Sequence, residues 1–211
     1  MVQKTKTTEK APRRPRGRPR GYDPQSALDR AQEAFWDTGY TGTTLDDLSA
    51  LTGMNRPSLY AAFGDKRVMY LRTLERYREM GRTLMKEELT APRPLDEALR
   101  GVFARAISIY LSGRRGARGC YLIGTAATES VRDAKIRATL AFGLHELDDL
   151  LEERLRRARA SGELKSQLEP GALARVICGV MNSLALRARA GESEDCLRDT
   201  AEAAVRLVCG S

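Results

Sequence analysis

Apolar side chains recur every three or four residues along most of the chain beyond residue 22. Leu28, Ala31 and Phe35 show this spacing behind an Asp23-Pro24 pair, which is a typical helix start. The pattern predicts helices from Asp23 to Gly39, from Thr43 or Thr44 to Gly53, from Asn55 to Phe63, from Asp65 to about Leu89, and near residues 94–112, 119–130, 132–161, 169–190 and 192–209. No alternating run of β-branched residues interrupts them, so the chain is predicted to be all-α with about nine helices.

The second and third predicted helices are short and are joined at Gly53, where a tight turn needs the positive φ that glycine adopts without strain. The apolar residues that would pack this pair against the first helix are Leu48, Leu51, Met54, Leu59 and Phe63. The opposite face of the third helix carries Asn55, Arg56, Ser58 and Tyr60. These features indicate a helix-turn-helix, in which arginine suits guanine, and hydroxyls or amides suit phosphates and base edges.

The stretch from Ala27 to Met69 resembles the N-terminal domain of TetR-type (TetR/AcrR family) transcriptional regulators. The matching residues are Ala34, Phe35, Gly39, Tyr40, Thr43, Thr44, Gly53, Met54, Leu59, Tyr60, Phe63 and Lys66. The resemblance implies that Tyr40, Thr44, Tyr60 and Lys66 contact phosphates, and Thr43 joins the same DNA-binding set. Ala62 departs from the pattern, because the family usually has His or Tyr there.

The segment before the first helix is a concentrated positive charge. Residues 1–20 carry eight Lys or Arg against Glu9 alone, which accounts for +7 of the net charge of +8. Residues 1–22 hold almost nothing apolar, so we expect a disordered basic arm that seeks a polyanion. Pro15-Arg16-Gly17-Arg18-Pro19 resembles the AT-hook core, which implies that Arg16, Arg18 and Arg20 enter a minor groove. A solubilising tail is the plainer interpretation of the same charge.

The resemblance divides the rest into a helix-turn-helix domain, residues 23–66, and a helical effector-binding and dimerisation domain, residues 67–211. Residues 119–127 resemble a segment of one broad subgroup of these regulators. In the family the middle helices enclose an effector cavity. Candidate cavity residues are Met85, Phe103, Ile107, Tyr110, Cys120, Ile123, Phe142, His145 and Met181, although each taken singly also suits plain core packing.

The last two predicted helices each carry an apolar stripe, and in the family they form a four-helix dimer interface. The expected interface residues are Val176, Ile177, Val180, Leu184, Leu197, Ala201 and Val205. A homodimer also explains a single helix-turn-helix per chain, since two copies read a palindrome. An intrachain core is the alternative for the same stripes.

Other chemistry is weakly represented. The four cysteines are far apart, so a zinc site or a disulfide framework is not expected, and a sensing role for Cys120 has no support in the sequence. His145 lies near Glu146 and Asp149 but lacks a second His, so no metal or cofactor is expected. No run approaches the roughly 18 apolar residues of a membrane span and no secretory signal is evident, which indicates the cytoplasm.

Three functions compete. The favoured one is a repressor that a small-molecule effector releases from a palindromic operator. The alternative is an architectural or global DNA-binding protein that uses the basic arm without induction. The third, an enzyme of helical fold, lacks any Ser/His/Asp set, phosphate loop or metal cluster, so the chain is not expected to be an enzyme.

We expect deletion of residues 1–20 to weaken operator binding and to flatten its dependence on salt concentration, because several phosphate-facing charges are lost. Fluorescence anisotropy over a range of salt concentrations measures both effects. Unchanged affinity and salt slope in the truncated protein would identify the arm as a bystander.

Overall fold

The computed structural model describes residues 23–113 and 116–210; the basic arm with Arg16, Arg18 and Arg20 lies outside the described residues. The described helices are α1 Pro24–Gly42, α2 Leu45–Thr52, α3 Arg56–Phe63, α4 Lys66–Thr90, α5 Leu95–Leu111, α6 Ala127–Glu129, α7 Ala134–Ala160, α8 Pro170–Arg189 and α9 Glu194–Cys209, with a π-helix at Leu122–Ala126 leading into α6. Residues 23–113 and 116–210 contain no strand. The all-α prediction is confirmed.

Side-chain caps fix the starts of the first four helices. Asp23 accepts from the backbone N–H groups of the first turn of α1, and Asn55 and Asp65 do the same for α3 and α4. Thr44 caps α2 in a reciprocal arrangement, in which its hydroxyl accepts from Asp47 N and the Asp47 carboxylate accepts from Thr44 N. Gly53 ends α2 at φ 70°, as the turn requires.

Two segments differ from the predicted helices. The regular part of α1 stops at Gly39, as expected, but a further turn follows it to Gly42. The segment predicted as one helix over 119–130 is a π-helix from Leu122. The wide turn aligns two side chains of this segment with α4: the Tyr121 and Thr73 hydroxyls lie 2.8 Å apart, and those of Thr125 and Tyr70 lie 2.7 Å apart.

The helices enclose two hydrophobic cores. The first joins α1, α2 and α3 to the N-terminal half of α4 and to the π-helix, and aromatic rings dominate it: Phe35, Trp36, Tyr70, Tyr77 and Tyr121. The second joins the C-terminal half of α4 to α5, α7, α8 and α9. α4 contributes to both cores and is the continuous element between them.

α8 is the one described helix that is long and apolar enough to cross a membrane by length and composition. Its apolarity has a simpler origin. Leu173, Ile177 and Leu184 are buried in the second core, so the composition is that of a core helix packed between α7 and α9.

The helix-turn-helix offers a matched pair of leucines. Leu48 is 0% exposed and Leu51 is 48% exposed, so the prediction that Leu51 locks the helices together is wrong. Leu51 lies beside the buried face of α2, which Leu48 and Thr52 form. We expect Leu48→Ala to destabilise the protein by about 2–5 kcal/mol and Leu51→Ala by less than about 1 kcal/mol. Urea denaturation followed by circular dichroism measures both, and equal losses would contradict this packing.

Candidate nucleic-acid interface and central cavity

The outer face of α3 carries the charged side chain of Arg56, which a carboxylate of α2 holds in place. Arg56 donates from Nε and Nη2 to Asp46 of α2, at 2.9 and 2.6 Å from Oδ1, and Nη2 lies 2.6 Å from Oδ2. The contact with Asp46 raises the pKa of the Arg56 guanidinium, which is charged at neutral pH in any case. Asn55 is exposed but uses its Oδ1 to cap α3 through Ser58 N. Ser58 is half-buried.

A second group of predicted residues surrounds the start of α2 and α4. Thr44 and Tyr60 are exposed, and Lys66 Nζ lies 4.4 Å from the centre of the Tyr40 ring. Partial burial lowers the pKa of Lys66 and raises that of Tyr40. Tyr40 packs against Tyr70 with its ring half-buried, so it fixes where the Lys66 ammonium lies. The DNA contacts of these four residues stay predictions.

Thr43 does not belong to this surface. It is 1% exposed, and its hydroxyl donates to Gly39 O at 2.7 Å and lies 2.8 Å from Thr38 Oγ1. These bonds hold the last turn of α1 against the start of α2. Its inclusion among the DNA-binding residues is therefore wrong: adjacent residues of an extended link point in opposite directions, and Thr44 takes the outer side.

A central cavity of about 100 Å³ lies between α4, α5, α7 and α8. Its lining is Tyr77, Arg78, Gly81, Arg82, Met85, Ala106, Ile109, Tyr110, Cys120, Leu122, Gly143, Glu146, Leu147, Leu150 and Met181. Four of the candidate cavity residues belong to it: Met85, Tyr110, Cys120 and Met181. The cavity therefore has mostly apolar walls and a charged group where α4 meets α7.

The other five candidates lie elsewhere. Phe103 and Ile107 line a separate groove of about 310 Å³ between α5 and α9. Ile123, Phe142 and His145 line neither space, and Phe142 is 57% exposed with Arg78 stacked on its ring. The assignment of these five to the cavity was wrong.

Helical phase explains the error on α7. The residues of α7 that reach the cavity are Gly143, Glu146, Leu147 and Leu150, a regular i, i+3, i+4 face. Phe142 and His145 lie on the next face around. Sequence reasoning missed four lining residues: Tyr77, Arg78 and Arg82 of α4 and Glu146 of α7. Their helical spacing from Gly81 and Met85 on α4, and from Gly143 on α7, is the pattern that could have identified them.

The charged groups of the cavity are paired. Arg78 Nη1 donates to Glu146 Oε2 at 2.5 Å, and Arg82 donates to Glu79 Oε1 at the same distance with Glu146 3.6 Å away. Tyr77 Oη donates to Cys120 Sγ at 3.5 Å, and burial raises the pKa of this thiol, so it is protonated at neutral pH. Within the described parts of the chain, no three His, Cys, Asp or Glu side chains group as metal ligands.

Comparison with known proteins gives two family matches that together span most of the chain. Residues 27–73 match the family described as bacterial regulatory proteins, tetR family. Residues 96–204 match the tetracyclin repressor-like C-terminal domain. The chain belongs to the TetR family. It is a DNA-binding transcriptional regulator.

Individual relatives agree over nearly the whole length. The chain is 31% identical over 193 residues to the uncharacterized HTH-type transcriptional regulator YezE of Bacillus subtilis (strain 168), covering 91% of this chain and 99% of YezE. It is 31% identical to the HTH-type transcriptional repressor ComR of Escherichia coli (strain K12), covering 91% of each. The TetR family regulator CifR, solved as a cysteine mutant with a 26-bp operator DNA, aligns with TM-score 0.78 at 29% identity over 91% of this chain and 100% of CifR.

Between the cavity and the DNA-binding domain of this TetR-family chain lies a compact set of polar contacts. The Arg118 guanidinium stacks on Trp36 of α1 at 3.8 Å and donates from Nη1 to Glu33 at 2.6 Å. Arg67 Nη2 donates to Asp133 at 2.9 Å and holds the pKa of that carboxyl well below its usual range. The segment that contributes Cys120 to the cavity is thus anchored to α1 two residues earlier.

The last two helices of the TetR-family chain expose a different face from the expected one. Ile177, Leu184, Leu197, Ala201 and Val205 are buried in the chain's own core, so for these five the interface prediction is wrong and the intrachain alternative holds. The larger apolar stripe packs against α5 and α7. Of the expected set, Val180 is half-buried and Val176 is exposed. Leu186 is exposed on α8 and Leu207, at 84%, on α9.

Proposed function

We propose that this protein is a repressor that binds a palindromic operator as a homodimer in the cytoplasm and leaves it when a small effector enters the central cavity. The observation that carries the proposal is the course of α4. One continuous helix begins at Lys66, beside the predicted phosphate contacts, and lines the cavity from Tyr77 to Met85. ComR is a named repressor and CifR was solved on operator DNA, which supports the same role here.

Arg56 is the residue that recognises the base sequence of the operator. Asp46 accepts from Nε and from Nη2 of the guanidinium, so Nη1 and the second N–H of Nη2 remain for another acceptor; Nη1 donates to none of the described residues. Guanine offers O6 and N7 as two adjacent acceptors, and the Nη1–Nη2 end of an arginine matches them. Asp46 thus acts as a positioning residue, which holds the side chain extended and aims its free end at the groove floor.

The residues around the starts of α2 and α4 supply affinity for the DNA backbone. Thr44 and Tyr60 offer exposed hydroxyls, and Lys66 supplies a charge that Tyr40 holds in place. Hydroxyl and ammonium groups contact phosphates without reading sequence. Three such contacts in each protomer fix the register of Arg56 on the DNA.

Release by an effector follows from the shared use of α4. A helix is stiff along its axis, so a ligand that moves Tyr77 or Met85 also moves Lys66 at the other end. The distance between the two recognition helices of a dimer must match successive major grooves. A ligand with higher affinity for a mismatched spacing therefore lowers operator affinity.

The exposed apolar face of α8 and α9 supplies the dimer interface. Val176, Leu186 and Leu207 lie on it, and Gly179 and Ala203 between them permit close approach of a second copy. Large exposed apolar side chains on two adjacent helices are typical of a subunit interface. The four-helix arrangement implied by the family fits this face better than the buried stripe.

Selection of bound DNA from a random pool tests the proposal. We expect a palindrome with half-sites about one helical turn apart, together with a dimer in sedimentation equilibrium that Leu207→Glu converts to monomer. A matched reporter gene with this palindrome in its promoter should be silenced. Uniform binding to A·T-rich duplexes, with no palindrome enriched, would favour the architectural alternative instead.

The variant Asp46→Asn distinguishes a role of Asp46 in positioning Arg56 from the general effect of its negative charge on DNA binding. We expect discrimination for one G·C pair in each half-site to fall about 3- to 10-fold, because Arg56 loses its support. Affinity for unrelated duplex should rise, because a negative charge leaves the DNA-facing surface. Fluorescence anisotropy with single base-pair substitutions of the selected operator measures both effects.

Asp29→Asn is the matched control, since it removes the same charge from the same domain but its carboxylate pairs with Arg76. It should leave the base preference unchanged, while Arg56→Ala should abolish it. If Asp46→Asn tightened binding to every sequence by the same factor, Asp46 would have no positioning role.

A further inference from the structure

Tyr110 is the exception among the buried tyrosines of the helical domain. Tyr70, Tyr77 and Tyr121 each place the hydroxyl against a partner, namely Thr125, Cys120 and Thr73. Tyr110 is 5% exposed and lines the central cavity, but its hydroxyl makes no hydrogen bond with any residue that the structure describes. This hydroxyl is not one of the fully enclosed polar atoms that lack a partner, so it is accessible and is free to donate to whatever fills the cavity.

The charges around the cavity argue against an ionic occupant. Both guanidinium groups have carboxylate partners, Arg78 with Glu146 and Arg82 with Glu79. Glu146 in turn lies within reach of both arginines. Breaking the half-buried Arg78–Glu146 pair to bind an ion would leave an unpaired charge there, which is costly, whereas the Arg82–Glu79 pair is more exposed. A neutral molecule leaves them intact.

The size and the lining of the cavity define the size and the polarity of the ligand it can hold. Its volume is about 100 Å³, below the roughly 150 Å³ of an engineered apolar cavity that binds benzene, so one ring is the upper limit for a ligand. Met85 and Met181 lie on opposite helices and adapt their shape by rotation about unbranched bonds. Ile109, Leu147 and Leu150 complete a mostly apolar lining, which does not suit a polyhydroxylated molecule.

We propose that the effector is a small uncharged molecule, about one six-membered ring in size, whose single hydrogen-bond acceptor, such as a carbonyl oxygen, accepts from the hydroxyl of Tyr110. This assignment of ligand class rests on the proposed function for its biological meaning. The binding step itself does not depend on DNA.

Four one-ring probes test the assignment on the full-length protein without DNA: cyclohexanone, its isostere methylenecyclohexane, cyclohexanecarboxylate and cyclohexylamine. NMR of methionine methyl groups gives the affinity and the location, because Met85 and Met181 line the cavity. We expect the two neutral probes to shift these two methyl signals. The charged probes should bind at least about 10-fold more weakly than cyclohexanone.

Tyr110→Phe isolates the hydrogen bond. The ratio of cyclohexanone affinity to methylenecyclohexane affinity should fall about 3- to 10-fold in this variant, while methylenecyclohexane binds as before. Tyr70→Phe is the matched control, because it removes a buried hydroxyl that pairs with Thr125 and does not line the cavity, and it should leave the ratio unchanged. Circular dichroism melts verify that both variants are folded.

An unchanged ratio in Tyr110→Phe would overturn the assignment, and so would tighter binding of the carboxylate or the ammonium probe. Failure of every probe to shift Met85 and Met181 would overturn it as well. Operator release is measured separately by anisotropy. Probes that bind with the predicted ratio but release no operator would refute effector release while leaving the ligand class standing.

Discussion

Trp36, Tyr121 and the tyrosines of α4 form one aromatic cluster at the point where the two hydrophobic cores meet. The Trp36 and Tyr121 rings lie 5.4 Å apart, and Tyr77 packs edge-on against both. Aromatic pairs of this kind are stiff and favour a narrow range of angles. The orientation of the DNA-binding domain relative to the cavity therefore depends on this cluster. The polar anchors around it, Arg118 on Glu33 and Arg67 on Asp133, act at its edges.

The cluster also explains why the segment from Gly119 to Ala126 is not an ordinary helix. Tyr121 and Thr125 each satisfy a hydroxyl of α4, and a π-helical turn brings both to the same side. Cys120 and Leu122, on the flanks of Tyr121, reach the cavity. Residues 118–121 thus contact α1 through Arg118, the cavity through Cys120 and α4 through Tyr121. A displacement of the cavity wall has a short path to the DNA-binding domain.

The sequence predicted most of the fold, because caps and glycines act locally. Asp23, Thr44, Asn55 and Asp65 each begin a helix through a bond within three residues, and the positive φ at Gly53 needs no distant partner. Properties set by distant packing were predicted less well. The side of α7 that faces the cavity depends on how α4 packs against it, so Phe142 and His145 were assigned to the wrong face.

The same limit applies to the last two helices. An apolar stripe marks a buried face but not the chain that buries it, and Ile177 and Leu197 pack within the chain. Thr43 and Thr44 are chemically alike, and only the three-dimensional bend after Gly39 separates an internal hydroxyl from an external one. The Asp46–Arg56 pair spans ten residues and two helices, so no local pattern reveals it.

That pair has a consequence for the kinetics of target search. Arg56 with Asp46 carries no net charge, so in the proposed complex this part of α3 adds little to the sequence-independent attraction that holds a protein on DNA. A bare arginine would lengthen every stop at a wrong site. Under the proposed function, the compensated charge shortens the dwell time of α3 on non-cognate base pairs, and binding energy is gained where guanine meets the free end of the guanidinium. In that proposal the Asp46 carboxylate contributes both to the speed of scanning and to the selectivity of binding.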